Sequence, residues 1–345
     1  MPTPGDPRRL QGLDALRGLA ILLVLLRHSW PDVFGNAGVV GVVVFFALSG
    51  YLITGLLVRD LRDYGRVRYR RFYRNRALRL LPALFLMLTG LVVVTVVWDP
   101  LDQRSGLVRA VVVGITYTAN LPFDHGSSAV DHLWTLATEE QFYIVWPLVL
   151  ALAVKFARVK TALTVSAALI VLALLATMAL SSDVAGIYAL PTSWCLAMVI
   201  GAAAFFMREQ LSAYFSPLTR VGHLSASGAL VLLGVVSLLP EDKGAAALYL
   251  LGGPAVAAAA VVLVLYTGGW TRLPTRALSP LRALGVVSYA AYLWNWPIAL
   301  WIGSVELGSV QPALILALTL LAATASWWLV ERPAMSWKSR LDRRR

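Results

Sequence analysis

LDALRGLAILLVLLRH, residues 13–28, joins a long apolar run to two ionisable side chains, Arg17 and His28. Apolar runs recur along the chain at intervals of about 20 residues, the length that a helix needs to cross the hydrocarbon core of a bilayer. The runs lack the alternation of a lipid-facing barrel, so they predict an all-α integral membrane protein. The ten predicted spans are 13–34, 37–58, 80–98, 133–154, 161–181, 187–207, 223–239, 247–268, 283–304 and 312–331. The shorter apolar stretch 107–121 is predicted to be re-entrant or interfacial.

The composition leads to the same class of protein. Of the 345 residues, 59% are hydrophobic and 14% are charged, and the mean hydropathy is +0.72. Soluble domains have about 45–50% apolar and about 25% charged residues. The values exclude an ordinary soluble enzyme, a disordered chain and a basic nucleic-acid-binding protein. The single cysteine, Cys195, excludes an intramolecular disulfide framework and a cysteine-cluster metal site.

The distribution of basic residues predicts the orientation, since short cytoplasmic loops carry an excess of Lys and Arg. Residues 59–79 alone contain nine arginines. Ten spans then place both termini in the cytoplasm. We expect a single transmembrane domain over residues 1–345, with a basic cytoplasmic loop at 59–79 and a cytoplasmic tail at 334–345.

Arg17 and His28 stand eleven residues apart, which returns them to nearly the same helix face about 16 Å apart. Ionisable groups inside membrane spans are expensive and indicate function by default. Each residue also has a structural interpretation: Arg17 can extend to lipid headgroups, and His28 can be a hydrogen-bonded core residue. Their common face favours a functional site.

A second motif, HLWTLATEEQFYIVWP, places Glu139 and Glu140 about 10 Å inside a predicted span, at the expected depth of His28. Only one of two adjacent helical residues can face a given site, and we assign Glu139 to it. A carboxylate beside a buried imidazole orients a general base and stabilises its protonated form. The alternative interpretation, which applies to Glu140, is a structural ion pair with Arg27.

Asn295 lies in the motif SYAAYLWNWP, between Trp294 and Trp296, and is expected at the same depth. Asparagine donates and accepts hydrogen bonds but carries no proton at neutral pH. The two tryptophans line a pocket or serve as packing aromatics. The remaining histidines, His125, His132 and His223, show no metal-ligand spacing; we expect them in loops or near lipid headgroups, and predict no metal site.

Arg76 and Arg79 stand three residues apart in the basic segment, on one helical face. Arginine pairs bidentately with phosphate, so the segment suits a multiply phosphorylated ligand. The alternative is an ordinary polybasic loop that binds anionic lipids. The sequence contains no P-loop and no glycine-rich dinucleotide fingerprint. Ser49, in FFALSGY, is interpreted as a small residue for close helix approach.

Six motifs in this order resemble the bacterial acyltransferase type 3 family of integral-membrane O-acyltransferases, from Leu13 to Pro333. They are LDALRGLAILLVLLRH, VVFFALSGYLIT, RFYRNRALRLLPAL, HLWTLATEEQFYIVWP, VSYAAYLWNWP and ERP. The resemblance implies ten spans and an acyl-CoA donor that approaches from the cytoplasm. It also implies transfer of an acyl group, commonly acetyl, to a hydroxyl of a sugar, a cell-surface glycan or a macrolide.

The resemblance carries over to individual residues. The Arg–ten residues–His motif of the family falls on Arg17 and His28, its Arg-x-x-Arg motif on Arg76 and Arg79, and its acidic position on Glu139. Family members often have histidine where this chain has asparagine in the motif YLWNWP, so no role that needs a proton is expected at that position.

The sequence and the resemblance together predict acyl transfer inside the bilayer. His28 is the general base on the acceptor hydroxyl with Glu139 orienting it, or His28 carries the acyl group itself. The predicted site for the coenzyme A phosphates comprises Arg17, Arg71, Arg74, Arg76 and Arg79. The predicted substrate contacts are Trp134, Trp294 and Asn295.

The expected partners are acetyl-CoA or another acyl-CoA as donor substrate, a hydroxyl-bearing acceptor and membrane lipids, with no permanently bound cofactor and no nucleic acid. The expected location is the bacterial cytoplasmic (inner) membrane, with many passes. The alternative function is a proton-coupled transporter or flippase for a lipid-linked or anionic glycan. The donor distinguishes the two functions, because a transporter has no use for coenzyme A.

Overall fold

The structure is a computed structural model that describes residues 10–343, with side chains described for residues 10–337. Every regular element in residues 10–343 is a helix, and no strand occurs there. The all-α class is therefore confirmed for this part of the chain. Residues 1–9 and the last two residues of the predicted tail 334–345 lie outside the described residues.

Fourteen α-helices follow one another in the described chain. They are α1 (Gln11–Ser29), α2 (Ala37–Tyr64), α3 (Tyr69–Val97), α4 (Leu107–Thr116), α5 (Trp134–Lys155), α6 (Val159–Leu180), α7 (Pro191–Phe206), α8 (Arg208–Phe215), α9 (Arg220–Leu238), α10 (Gly253–Thr267), α11 (Ser279–Val286), α12 (Ser288–Gly303), α13 (Gln311–Ser326) and α14 (Arg332–Arg343). A 3-10 segment, Ser128–Leu133, precedes α5, and π-helical segments, Leu248–Gly252 and Trp327–Glu331, precede α10 and α14.

The helices form two compact units, each assembled from separate parts of the chain. The first unit contains α1, α3, α4 and α11–α14, together with the 3-10 segment Ser128–Leu133. The second unit contains α2 and α5–α10. Each unit has its own buried apolar interior.

Seven helices in residues 10–343 are long and apolar enough to span a membrane, or eight if the bent pair α7 and α8 is one span. The pair bends by 87°. Two predicted spans do not pass this test. The first, 13–34, corresponds to α1, which carries Asp14, Arg17 and Arg27; the other, 283–304, is divided into α11 and α12 at Val287. Ten spans and cytoplasmic termini stay predictions.

The exterior of the spanning helices fits a lipid environment. In α6, a 22-residue helix, Leu174 is the one buried side chain, and leucines such as Leu169 and Leu172 are exposed. A helix that exposes apolar side chains on most of its surface needs an apolar solvent. The chain is therefore a multi-span membrane protein.

The basic segment 59–79 is helical except for a short turn, which agrees with the helical face expected for Arg76 and Arg79; its cytoplasmic position stays a prediction. α2 continues to Tyr64, α3 begins at Tyr69, and only residues 65–68 lie between them. Gly65 ends α2 in the left-handed conformation (φ +67°), which glycine adopts without strain. The Arg68 guanidinium donates to Asp60 at 2.7 Å, and this hydrogen bond raises the pKa of Arg68. Arg68 therefore stabilises the turn.

Glycines allow two helix pairs to approach closely. In the first unit, a Cβ on Gly18 of α1 would collide with the backbone carbonyl of Leu281, and one on Gly285 of α11 with that of Asp14. In the second unit, Gly50 of α2 lies in the same way against the backbone of α7 at Met198. Small residues let membrane helices pack backbone to backbone. The predicted close approach of α2 thus takes place at the residue after Ser49.

We expect Gly50→Ala to lower the free energy of unfolding by about 2 kcal/mol, because the added methyl group meets backbone that cannot move aside. Gly234→Ala is the matched control in the same unit. Nothing lies within 4 Å of a Cβ at Gly234, so this change is neutral or stabilises by up to about 1 kcal/mol. Thermal unfolding of the detergent-purified proteins measures both. Equal stability of the two variants would contradict the close approach.

Candidate functional site

His28 and Asn295, which the sequence predicted at similar depth, are hydrogen-bonded to each other in the first unit. Nδ1 of His28, near the end of α1, lies 2.5 Å from Oδ1 of Asn295 on α12. The Asn295 side chain is fully buried, and its Nδ2 donates to Oγ1 of Thr319 on α13 at 3.3 Å. The Asn295 amide thus connects His28 to a third helix.

The hydrogen bond to Oδ1 of Asn295 assigns the proton on His28. An amide oxygen can only accept a hydrogen bond, so Nδ1 of His28 is the donor. In the neutral ring the lone pair then lies on Nε2. The ring is half-buried and packs on Trp296, with 4.8 Å between the ring centroids. A proton on Nδ1 with the lone pair on Nε2 is the protonation pattern that a general base or a nucleophile needs; the catalytic role of His28 stays a prediction.

Aromatic side chains of α12 anchor this helix to backbone carbonyls of the first unit. The Tyr289 hydroxyl donates to the carbonyl of Leu80 at 3.1 Å, and the indole of Trp296 donates to Ser128 at 2.8 Å. Polar groups with little access to water need partners within the protein. Trp296 is therefore a packing and anchoring aromatic, one of the two interpretations given from sequence.

Trp294 differs from Trp296 although the two residues flank the same asparagine. Its indole N–H is buried and has no hydrogen-bond partner among the described residues. Its six-membered ring lies against Gly90 of α3, where a Cβ would overlap it. The predicted contact between Trp294 and substrate stays a prediction.

The five predicted phosphate-binding arginines all belong to the first unit. Arg17 lies on α1, and Arg71, Arg74, Arg76 and Arg79 lie on the first three turns of α3. All five are half-buried. Arg79 interacts electrostatically with Glu331, which is buried at the end of the π-helical segment before α14. Four of the five arginines thus lie on α3, which continues past Leu80 to Gly90 and packs beside α12.

Glu139 belongs to the second unit, where the hydroxyl of Ser49 donates to its Oε1 at 2.6 Å. Both side chains are half-buried. Ser49 was interpreted as a small packing residue, and the structure gives it a polar role that the motif FFALSGY alone does not reveal. The predicted action of Glu139 on His28 stays a prediction.

Trp134 lies at the beginning of α5, within the aromatic interior of the second unit. Its ring packs on Tyr188 and Trp194 at centroid distances of 5.2 and 6.2 Å, and it is 8% exposed. These contacts make it a core residue in this structure. Its predicted contact with substrate stays a prediction.

His132 is the residue that sequence reasoning missed. It was expected in a loop or near headgroups, but it is 7% exposed and its Nε2 lies 3.1 Å from the carbonyl oxygen of Leu293 on α12. It also interacts electrostatically with His28. The one signal for His132 in the sequence is its position directly before the predicted span 133–154.

Residues 10–343 contain no group of three or more His, Cys, Asp or Glu that could hold a metal ion.

Comparison with known proteins finds a family and several relatives that align with nearly the whole chain. The profile of the family described as "Acyltransferase domain" matches residues 10–332. The chain is 31% identical to the putative peptidoglycan O-acetyltransferase YrhL of Bacillus subtilis, over 94% of this chain and 55% of that protein. It is 25% identical to the O-acetyltransferase OatA of Staphylococcus aureus, over 95% and 57%.

A third relative is the peptidoglycan O-acetyltransferase OatA of Listeria monocytogenes, 28% identical over 90% of this chain and 53% of that protein. The chain thus spans about half the length of the curated relatives that it matches. No solved structure gives a significant match.

We expect Asn295→Leu to lower the free energy of unfolding by about 1–3 kcal/mol, because the buried N–H of His28 loses its acceptor. Thr319→Val keeps that bond but leaves Nδ2 of the fully buried Asn295 without its partner, so we expect a loss of similar size, about 1–3 kcal/mol. Thermal unfolding in detergent measures both changes. An Asn295→Leu protein as stable as the wild type would show that the hydrogen bond is not made.

The bond between Ser49 and Glu139 has its own test. A double-mutant cycle of Ser49→Ala and Glu139→Leu removes each partner alone and both together. We expect a coupling energy between about 0.6 and about 1.7 kcal/mol, the average and the largest value measured for hydrogen bonds between membrane helices. A coupling energy of zero in thermal unfolding means that the contact contributes nothing to the fold.

Proposed function

The chain belongs to the acyltransferase family whose profile spans residues 10–332, and from that premise we propose that it is a membrane O-acetyltransferase. In this proposal it moves an acetyl group from acetyl-CoA on the cytoplasmic side to a hydroxyl of a cell-surface glycan, in the cytoplasmic membrane of a bacterium. The acceptor class is taken from the relatives, whose names describe peptidoglycan O-acetyltransferases. One observation in the structure supports the chemistry: a half-buried histidine whose Nδ1–H is held by an amide oxygen.

The reaction needs a group that accepts the proton of the acceptor hydroxyl. In the proposed mechanism Nε2 of His28 takes this proton as the hydroxyl oxygen attacks the thioester carbonyl carbon. The carbon–sulfur bond then breaks, and the imidazolium returns the proton to the departing coenzyme A thiolate. The products are the acetyl ester and free coenzyme A, and His28 is neutral again.

Asn295 supports this cycle without exchanging a proton. Its Oδ1 accepts the Nδ1–H of His28 in both the neutral and the protonated ring, so the orientation of Nε2 does not change during the reaction. An amide that is itself fixed by Thr319 suits this role. The same tautomer also serves an acyl-histidine intermediate, in which Nε2 attacks the thioester first.

The donor assignment rests on the arginines at the beginning of α3. Coenzyme A carries several phosphate charges, and guanidinium groups bind phosphate through charge-assisted, bidentate hydrogen bonds. Arg76 and Arg79 share one face of α3. The same helix continues to Gly90, against which Trp294 packs, one residue from Asn295. Phosphate binding at Arg79 and reaction at His28 thus involve a single unit of the protein.

The first test of the function is acetyl-CoA binding and acetyl transfer to soluble peptidoglycan fragments by the purified protein. We expect Arg76→Ala/Arg79→Ala to weaken acetyl-CoA binding on the order of 100-fold, since a charged hydrogen bond contributes about 1.5–3 kcal/mol. Arg59→Ala/Arg62→Ala on α2 is the charge-matched control and leaves binding within about twofold. If both pairs weaken binding equally, the arginines act only through net charge.

His28→Ala separates binding from chemistry. We expect acetyl-CoA binding within about threefold of the wild type and a kcat about 10²–10⁴-fold lower, the usual contribution of a general base. Normal turnover by this variant rules out His28 as the base. A well-folded wild-type protein that binds no acetyl-CoA refutes the donor, and the transporter or flippase function would then have to be tested.

A further inference from the structure

His132 is a buried histidine that the proposed reaction does not use. It lies in the 3-10 segment Ser128–Leu133, 7% exposed, and its Nε2 is 3.1 Å from the carbonyl oxygen of Leu293. A carbonyl oxygen only accepts, so Nε2 of His132 carries a proton and donates it to this bond.

Pro297 explains why the Leu293 carbonyl is available. In an α-helix each carbonyl accepts from the N–H four residues later. The residue four positions after Leu293 is Pro297, which has no N–H. Leu293 is fully buried, and an unpaired carbonyl in a buried position is costly. The imidazole of His132 supplies the donor that α12 itself lacks at this point.

The bond from His132 is one of three that join the same two segments. The Tyr292 hydroxyl donates to the carbonyl oxygen of His132 at 2.6 Å, and Nε1 of Trp296 donates to that of Ser128 at 2.8 Å. The attachment points on α12 are therefore residues 292, 293 and 296. They lie on both sides of Asn295, within one helical turn.

We infer that His132 is a positioning residue, which holds the α12 turn that carries Asn295 and through it sets the tautomer and orientation of His28. The expected effect of His132 on catalysis rests on the proposed function. Its expected effect on the tautomer of His28 does not. His132 acts as a hydrogen-bond donor through Nε2. A side chain that retains a donor at this place can replace it, and an apolar side chain cannot.

The test reads the tautomer of His28 directly by ¹⁵N NMR of histidine-labelled protein. The chain has four histidines, and two of them bond elsewhere: His125 to Asp131 and His223 to Tyr266. In the background His125→Gln/His223→Gln, a further change at His132 leaves His28 as the sole labelled ring. Spectra at about pH 8, above the ordinary pKa of histidine, report which nitrogen carries the proton.

His132→Gln and His132→Leu are compared in that background. Glutamine places an amide N–H near the position of Nε2, so we expect one His28 tautomer, with the proton on Nδ1. Leucine has no donor, so we expect both tautomers. A single Nδ1–H tautomer in the leucine variant would overturn the inference. If the leucine variant does not fold, His132→Asn replaces it, because its amide is too short to reach the Leu293 carbonyl.

Acetyl transfer provides the second readout. We expect His132→Leu to lower kcat by about 10- to 100-fold, the effect of a small misplacement of a catalytic group, with the KM for acetyl-CoA within about twofold. His132→Gln stays within about threefold of the parent in both constants. A role in packing alone would not give this recovery by glutamine. Failure of the parent protein to transfer acetyl refutes the proposed function, whereas the NMR comparison still decides the inference.

Discussion

The hydrogen bond from Nδ1 of His28 to Oδ1 of Asn295 is the interaction on which the candidate site depends. A hydrogen-bond donor that is buried away from water needs a partner within the protein. Asn295 supplies it and is itself bonded to Thr319. One amide therefore joins α1, α12 and α13, and determines which nitrogen of the imidazole carries the proton.

The need to pair buried polar groups also accounts for the side chains that surround α12. Pro297 removes one backbone donor, and the imidazole of His132 replaces it. Tyr289 and Trp296 direct their polar atoms to backbone carbonyls and their rings to the apolar interior. Aromatic residues with one polar atom suit this double role in a membrane protein. The helix is thus held by side chain-to-backbone bonds.

The sequence was sufficient for the helical class and for selecting His28 and Asn295, because apolar run length and rare polar residues are properties of a single segment. It could not reveal that these two residues bond to each other, since periodicity gives the face of a helix and not its neighbour. The sequence did not reveal the hydrogen bond of His132 for the same reason. Its acceptor is the carbonyl of Leu293 on another helix, which is available because Pro297 has no N–H. The charge pattern of the basic segment predicts on which side of the membrane it lies, whereas its helical form follows from arginine being a good helix former.

Asn295 also determines the electrical state of the pair. A histidine bonded to a carboxylate is neutral overall when protonated, but a histidine bonded to an amide becomes a net cation. In a medium of low dielectric constant such a charge attracts any anion nearby much more strongly than it would in water. In the proposed reaction, the His28–Asn295 pair gains a positive charge when His28 takes the hydroxyl proton, which is when an oxyanion or a thiolate forms beside it. In that proposal, asparagine at this position makes the attraction transient, because the pair is cationic only while there is a negative charge to stabilise.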